Sequence, residues 1–414
     1  MAHIVFMNIP GHGHVNPTLP VVQLLVSQGH EVRYYNTEEF RDKITLTGAT
    51  FVPYPDPVPT AAEITALLGG SNMVNTTLML LEMSEHLLPH MLGDLRRDRP
   101  DVLIYDSTVL WGYMCAQLLD LPAIASNTLF MFDGTPVRPG LRDLWYILRQ
   151  ALPVFPEMLR RRRRLIQNYG KTIFQKDHLL PLKGDLNLMF TSQALQPPST
   201  EIDSSFRFVG PSINPALRES EDFPFDQLVR RPVIYISMGT IHTAQSDFYR
   251  QVFTAFADHP GQFVLSVGRG TDLASLEPIP SNFIVRNFVP QLDVLPHVDL
   301  FITHGGINSI HEGLYYGVPL LMIPQQMEQL LNARVVAASG AGVIAGHPPP
   351  FAGVTSSDLR ITVEQMLAED RMKQQAQSIR TALHETGGYQ HAVEEIDKFV
   401  KQTANSNTNL THAG

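Results

Sequence analysis

The chain of 414 residues has one cysteine, two tryptophans and no apolar run approaching the ~18 residues that span a bilayer. The lone Cys115 excludes an internal disulfide and a cysteine-rich zinc site, and its setting in LWGYMCAQLLDL is that of a buried, inert helical thiol. Positive charge is also scarce. Against 40 Asp and Glu there are 31 Lys and Arg, a net charge of −9, which offers nucleic acid no basic face. The N-terminus MAHIVFMNIPGHGHVNP lacks the basic and small-residue features of a signal peptide, so a cytoplasmic location is expected. The N-x-S/T matches at Asn75 and Asn409 then mean little.

What is present is a composition of 44% hydrophobic and 17% charged residues, ordinary for a globular protein but too long for one core. HIVFMNI, EVRYYN, TFVPYP, DVLIYD and PAIAS read as strands, with helical spacing in NPTLPVVQLLVSQG, near 73 to 97, and up to Leu119. The alternation predicts a parallel sheet with helices on both faces. A basic stretch from 140 to 168 holds five arginines, Arg160 to Arg164; it reads as a solvated helix face, with an anionic or membrane surface as the alternative. Residues 211–230 are rich in proline and charge and read as a linker. A second series follows: RPVIYISMGT, GQFVLSVG, NFIVRNF, VDLFITH and VPLLMIP. The division expected is 1–210, linker 211–230, 231–389, then 390–414 as a final helix and a loose tail from Thr403.

Two doubly wound domains face each other across a cleft, and ligands sit beyond the carboxyl ends of their strands. In the second half, FITHGGINSIHEG runs from a strand into a helix. Its glycines let a ligand approach the backbone, and the helix start offers free N–H groups to an anion. Asn308, Ser309 and His304 add donors for phosphate, whereas Glu312 suits neutral ribose hydroxyls. Other strand ends supply Ser237, Gly239 and Thr240, then Phe288 to stack on a base with the Val289 backbone for the base edge, then Glu328 and Gln329 for sugar hydroxyls.

In the first half, GHGHVNP is not a dinucleotide fingerprint: Asn16 stands where the third glycine belongs, Pro17 opens the helix differently, and YNT ends the second strand without an acid. His12 and His14 lack a third metal ligand. His14 at a helix N-terminus is expected to have a lowered pKa, as a general base requires, and Asp106 at another strand end is placed to hold its tautomer.

The series SMGT, FVPQ, HGGINSIHEGLYYGVP and PQQMEQ resembles the donor signature of UDP-sugar-dependent glycosyltransferases, most of all the bacterial macrolide and natural-product branch. The likeness runs from GHGHVNP to ETGGYQHAVEEI. It implies a GT-B fold, with two Rossmann-like domains, the donor in the second, the acceptor in the first and the last helix packed back on the first. By resemblance His14 is the base and Asp106 its orienter, and the donor is held by Ser237, Gly239, Thr240, Phe288, Val289, Gln291, His304, Gly306, Ile307, Asn308, Ser309, Glu312, Glu328 and Gln329. The family often has tryptophan where Phe288 stands, and plant members have tryptophan and aspartate at Ile307 and Glu328. The expected partners are a UDP-sugar, glucose favoured, and a small apolar hydroxylated acceptor held by loops at 56 to 80 and 127 to 150, with no metal or other cofactor. A lipid or sterol acceptor met at a membrane through Arg160–Arg164, or a non-catalytic nucleotide binder, are the alternatives.

Overall fold

The structure is a computed structural model and describes residues 1–60, 63–64, 73–132, 140–176, 180–218, 221–239, 246–346 and 353–412. Its first sheet contains β1 (His3–Met7), β2 (Glu31–Asn36), β3 (Thr50–Pro53), β4 (Val102–Asp106), β5 (Ala123–Asn127), β6 (Leu186–Met189) and β7 (Phe206–Phe208). The order is β3-β2-β1-β4-β5-β6-β7, and every pairing is parallel. The sequence reading found the first five; β6 and β7 are short strands without a strong pattern of their own. Around the sheet lie α1 (His12–Ser27), α2 (Arg41–Thr45), α3 (Met73–Asp98), α4 (Leu110–Leu119) and α5 (Leu141–Tyr169). Helices cover a parallel sheet on both faces, so strands such as Val102–Asp106 are buried at every position.

The second sheet holds β8 (Val233–Ser237), β9 (Gln262–Ser266), β10 (Phe283–Arg286), β11 (Leu300–Thr303), β12 (Leu320–Met322) and β13 (Gly342–Ile344) in the parallel order β10-β9-β8-β11-β12-β13. Its helices are α6 (Ser246–Phe256), α7 (Gln291–Val294), α8 (Ile307–Tyr315), α9 (Met327–Ser339), α10 (Ser356–Ala368) and α11 (Asp370–Glu385). Between β7 and β8 the described residues form only the short 3-10 turns Pro215–Leu217 and Phe225–Gln227. In each sheet the direction of winding reverses once, between β1 and β4 and between β8 and β11, and a crevice forms there because the crossovers leave on opposite sides.

The last helix, α12 (Gly388–His412), returns to the first domain. Its Ala392, Val393 and Ile396 are buried in one cluster with Val15, Leu19 and Val22 of α1. The buried residues belong to the stripe in HAVEEIDKFVKQ, and a helix crossing back is what the family resemblance implied. The expected loose tail from Thr403 is instead helical as far as His412. Because Ile396 is wholly buried, Ile396→Ala is expected to cost about 2–5 kcal/mol and lower the first urea transition of the chain. An unchanged midpoint would mean that α12 does not hold the first domain together.

Candidate active site

His14 lies in the first turn of α1, and its Nδ1 is 2.8 Å from Asp106 Oδ2 at the end of β4. These are the two sides of the first sheet's reversal point, joined by adjacent parallel strands. Asp106 is 1% exposed, and its other oxygen accepts from the Thr108 N–H (2.9 Å) and hydroxyl (2.5 Å). With the Nδ1–H given to Asp106, the lone pair of the ring is at Nε2. The Thr128 hydroxyl also approaches Nδ1, at 3.2 Å.

Helix α1 begins at His12, earlier than the proline pattern suggested, so Pro17 lies inside it. Proline has no N–H, and the carbonyl four residues back, that of Gly13, is left without its helical donor. That carbonyl instead accepts from Asn308 Nδ2 of the second domain at 2.8 Å. A proline in the first domain thus provides the acceptor for a bond between the domains. It also draws the start of α8 against the loop that carries His14.

The expected lowering of the His14 pKa is overturned. Burial does favour the neutral ring, but the charge of Asp106 and its hydrogen bond, with a further contribution from Glu328, together raise the pKa above its ordinary 6.5. A carboxylate in contact outweighs the burial of the ring. Asp106, which burial would raise, is held below its ordinary value by His14 and by the Thr108 bonds. Glu328 is raised by burial, only partly offset by a bond from Asn332 and by His14.

Across the cleft, β11 ends in Thr303, and His304-Gly305-Gly306 leads into α8, whose N-cap Gly306 is extended and makes no side-chain cap. The first N–H groups of α8 therefore point outward without a capping side chain, as an anion site needs. The His304 ring lies between two glycines: a Cβ built on Gly239 would stand 2.5 Å from it and one on Gly306 2.4 Å. Either glycine replaced by alanine would push the ring out. His304, Gly239 and Gly306 are thus one packing unit, assembled from the ends of adjacent β8 and β11.

Glu312 is 7% exposed, and each oxygen already has a partner: Arg218 donates to Oε1 at 2.7 Å and Gln291 to Oε2 at 2.6 Å. Gln291 in turn accepts from the Tyr235 hydroxyl at 3.2 Å. Arg218 belongs to the linker, and sequence reasoning missed it: a single arginine in a proline-rich stretch gives no local signal of a partner in α8. Its charge offsets that of a carboxylate beside a diphosphate seat. Phe288 is half-buried, and the Arg269 guanidinium lies over its ring at 4.8 Å. Arg269 also pairs with Glu221, a second link from the linker to this site.

Other expected positions have structural duties. Ile307 and Val289 are packed into the second domain's core. Gln329 is 1% exposed, and its Oε1 accepts from the Gln325 N–H at 2.9 Å. Ser237 ends β8 and Ser309 follows Asn308 in the first turn of α8. Thr240 lies outside the described residues. His311 was not predicted: burial lowers its pKa to about 4, and its Nε2 meets the Thr191 hydroxyl at 2.9 Å, a neutral contact between the domains. Cys115 is buried as expected, its thiol pushed far up.

The arginine run is mostly committed within the protein. Arg161 and Arg164 pair with Glu82 and Glu85 of α3, Arg160 with Glu157, and Arg162 lies over Phe174. A membrane contact through Arg160–Arg164 as a block is therefore not what these side chains are arranged for. Among the described residues no three His, Cys, Asp or Glu side chains come together as a metal set. A cavity of about 840 Å³ opens beside the ends of β2 and β3, lined by Thr37, Tyr54, Asp56, Val58 and Thr60 and by Pro89 and His90 of α3.

Residues 212–393 match the family described as UDP-glucoronosyl and UDP-glucosyl transferase. The chain is 34% identical over 402 residues to the NDP-glycosyltransferase YjiC of Bacillus subtilis, covering 97% of this chain and 98% of that one. The chain belongs to this glycosyltransferase family. It is also 28% identical to the oleandomycin glycosyltransferase of Streptomyces antibioticus, over 96% of this chain and 90% of the other. Among solved structures it superposes on the glycotransferase of kitacinnamycin with a TM-score of 0.79 at 28% identity, covering 96% of this chain and 99% of that one. Its two parallel-sheet domains are thus the GT-B fold that the motifs implied.

Proposed function

We propose that the protein is an inverting, UDP-sugar-dependent glycosyltransferase that moves a hexose, glucose first, to a hydroxyl of a small apolar natural product. The observation that carries this reading is the pairing of two strand-end sites across one cleft: a His14–Asp106 dyad facing an uncapped helix start, joined by the Asn308–Gly13 bond. His14 Nε2 takes the acceptor's proton as the hydroxyl oxygen attacks the anomeric carbon, and Asp106 stabilises the imidazolium. The UDP leaves toward the N–H groups of α8, with His304, Ser309 and Thr240 as further donors. Glu312, with Gln291, takes the ribose hydroxyls, Phe288 takes the base, and Glu328 and Gln329 lie on the sugar side.

A single displacement inverts the anomeric centre, through an oxocarbenium-like transition state. An α-linked UDP-glucose should therefore give a β-glycoside, which the anomeric proton coupling of the product reports; an α-glycoside would refute the mechanism. The helix start supplies the positive field that a cation supplies elsewhere, with His304 as a further donor, so no metal or other cofactor is assigned to the reaction. Activity is expected to survive EDTA, and loss with EDTA restored by Mg²⁺ would overturn this.

The name of the Streptomyces relative, an oleandomycin glycosyltransferase, supports a natural-product acceptor, and the cavity at Tyr54 and Val58 is in the size range of a drug-like ligand. Part of the acceptor region expected at 56 to 80 and 127 to 150 falls outside the described residues.

A further inference from the structure

Among the described residues, seven of the twelve large apolar side chains exposed to solvent belong to one helix, α5. Leu141, Trp145, Leu148, Leu152, Phe155 and Leu159 succeed one another at steps of four and three, so they form one stripe, with exposures from 37% to 88%. A contiguous apolar surface of this kind marks an interaction site.

Charge is distributed about the stripe in one sense only. The helix carries seven arginines and two acids in a chain whose net charge is −9. Both acids lie away from the stripe: Asp143 is buried and bound to Arg334, and Glu157 pairs with Arg160 and Arg161. The ion pairs of this helix engage Arg160, Arg161 and Arg164, while Arg142, Arg149 and Arg163 stand exposed in one row along the edge of the stripe.

We propose that this face of α5 docks on an anionic lipid surface. An apolar stripe with an exposed tryptophan and an arginine edge is the arrangement of a helix that lies in a membrane interface, apolar side chains among the acyl chains and cations among the headgroups. A second copy of the chain fits the charges poorly. An antiparallel two-fold contact would set each arginine row against its own copy, and a parallel one would set it against the other, apolar edge at Leu144 and Ala151. Neither offers the arginines a carboxylate. The contact is peripheral: among the described residues no helix is long and apolar enough to cross a membrane. The helix also starts at the cleft, where Asp143 binds Arg334 of α9 at 2.8 Å. If the acceptor is apolar, as the proposed function has it, a lipid surface is where it would collect, beside the opening of the site.

The test is co-sedimentation of the full chain with vesicles of phosphatidylcholine alone and of phosphatidylcholine mixed with phosphatidylglycerol. Binding is expected only to the anionic vesicles and should weaken with added salt. The double variant Leu152→Asp/Phe155→Asp should reduce partitioning by about tenfold or more. Replacing Arg142, Arg149 and Arg163 by glutamine should reduce it by about fivefold per residue. All five side chains are exposed, so both variants should fold, and a thermal melt of each is the control. No binding to anionic vesicles, or undiminished binding by both variants, would overturn the proposal. So would a dimer, seen by sedimentation velocity without lipid, that the Leu152/Phe155 variant dissolves. None of these measurements involves a nucleotide, so failure here leaves the donor-site reading standing.

Discussion

His14→Ala is expected to lower kcat by about 10²- to 10⁴-fold on an aliphatic-alcohol acceptor while leaving the affinity for UDP unchanged. An alcohol keeps its proton at neutral pH, so a base must take it as the C–O bond forms. Asp106, the nearest carboxylate, is 1% exposed and already bound to His14 and Thr108, and cannot reach an acceptor. The loss should shrink on an acidic phenol, which reaches the site partly ionised and needs less help. Steady-state rates on the two acceptor classes separate a base from a merely structural histidine. Equal losses on both, or full activity on the alcohol, would remove His14 from its role.

Asp106→Asn is expected to cost about 10²-fold or more and to move the pH profile. The Thr108 N–H and hydroxyl donate to Asp106 Oδ1, so in the asparagine the amide oxygen must occupy that position. The NH₂ group then faces His14 Nδ1 and makes it an acceptor, which places the ring proton on Nε2, the atom that has to be free. The sign of the pH effect follows from the native site. His14 acts when neutral and its pKa is raised chiefly by Asp106, so activity should fall as pH drops through a value above 6.5. Without the carboxylate's charge the imidazolium loses support, and this acidic limb should move to lower pH even as the plateau falls. A lower plateau with an unmoved limb would mean that Asp106 does not set the charge on His14.

The positions of these groups were legible because each follows a strand. The alternation of apolar runs and helical stripes places strand ends at Asp106, Ser237 and Thr303, and parallel sheets gather strand ends at one edge. The paired winding of two such sheets then puts His14 opposite α8. Less legible was everything decided by a partner far along the chain. The direction of the His14 shift depends on a carboxylate 92 residues away, which wins over the burial of the ring. Arg218 reaches Glu312 over 94 residues from a stretch that reads as linker. The arginine run is the exposed helix face that it reads as, but its partners Glu82 and Glu85 lie on another helix, beyond any local pattern. Pro17 reads locally as a helix start, whereas it lies inside α1 and its missing N–H frees the Gly13 carbonyl for Asn308.

Calorimetric titration with UDP, run beside dTDP on the wild-type chain and on Glu312→Ala, tests the central claim most directly, because it needs no known acceptor. A ribose whose 2′-hydroxyl meets Glu312 should give saturable UDP binding about tenfold tighter than dTDP, with that preference gone in Glu312→Ala. No saturable binding of UDP, or equal affinities for the two nucleotides in the wild-type chain, would contradict the assignment of the Glu312 pocket to the ribose of a UDP-sugar.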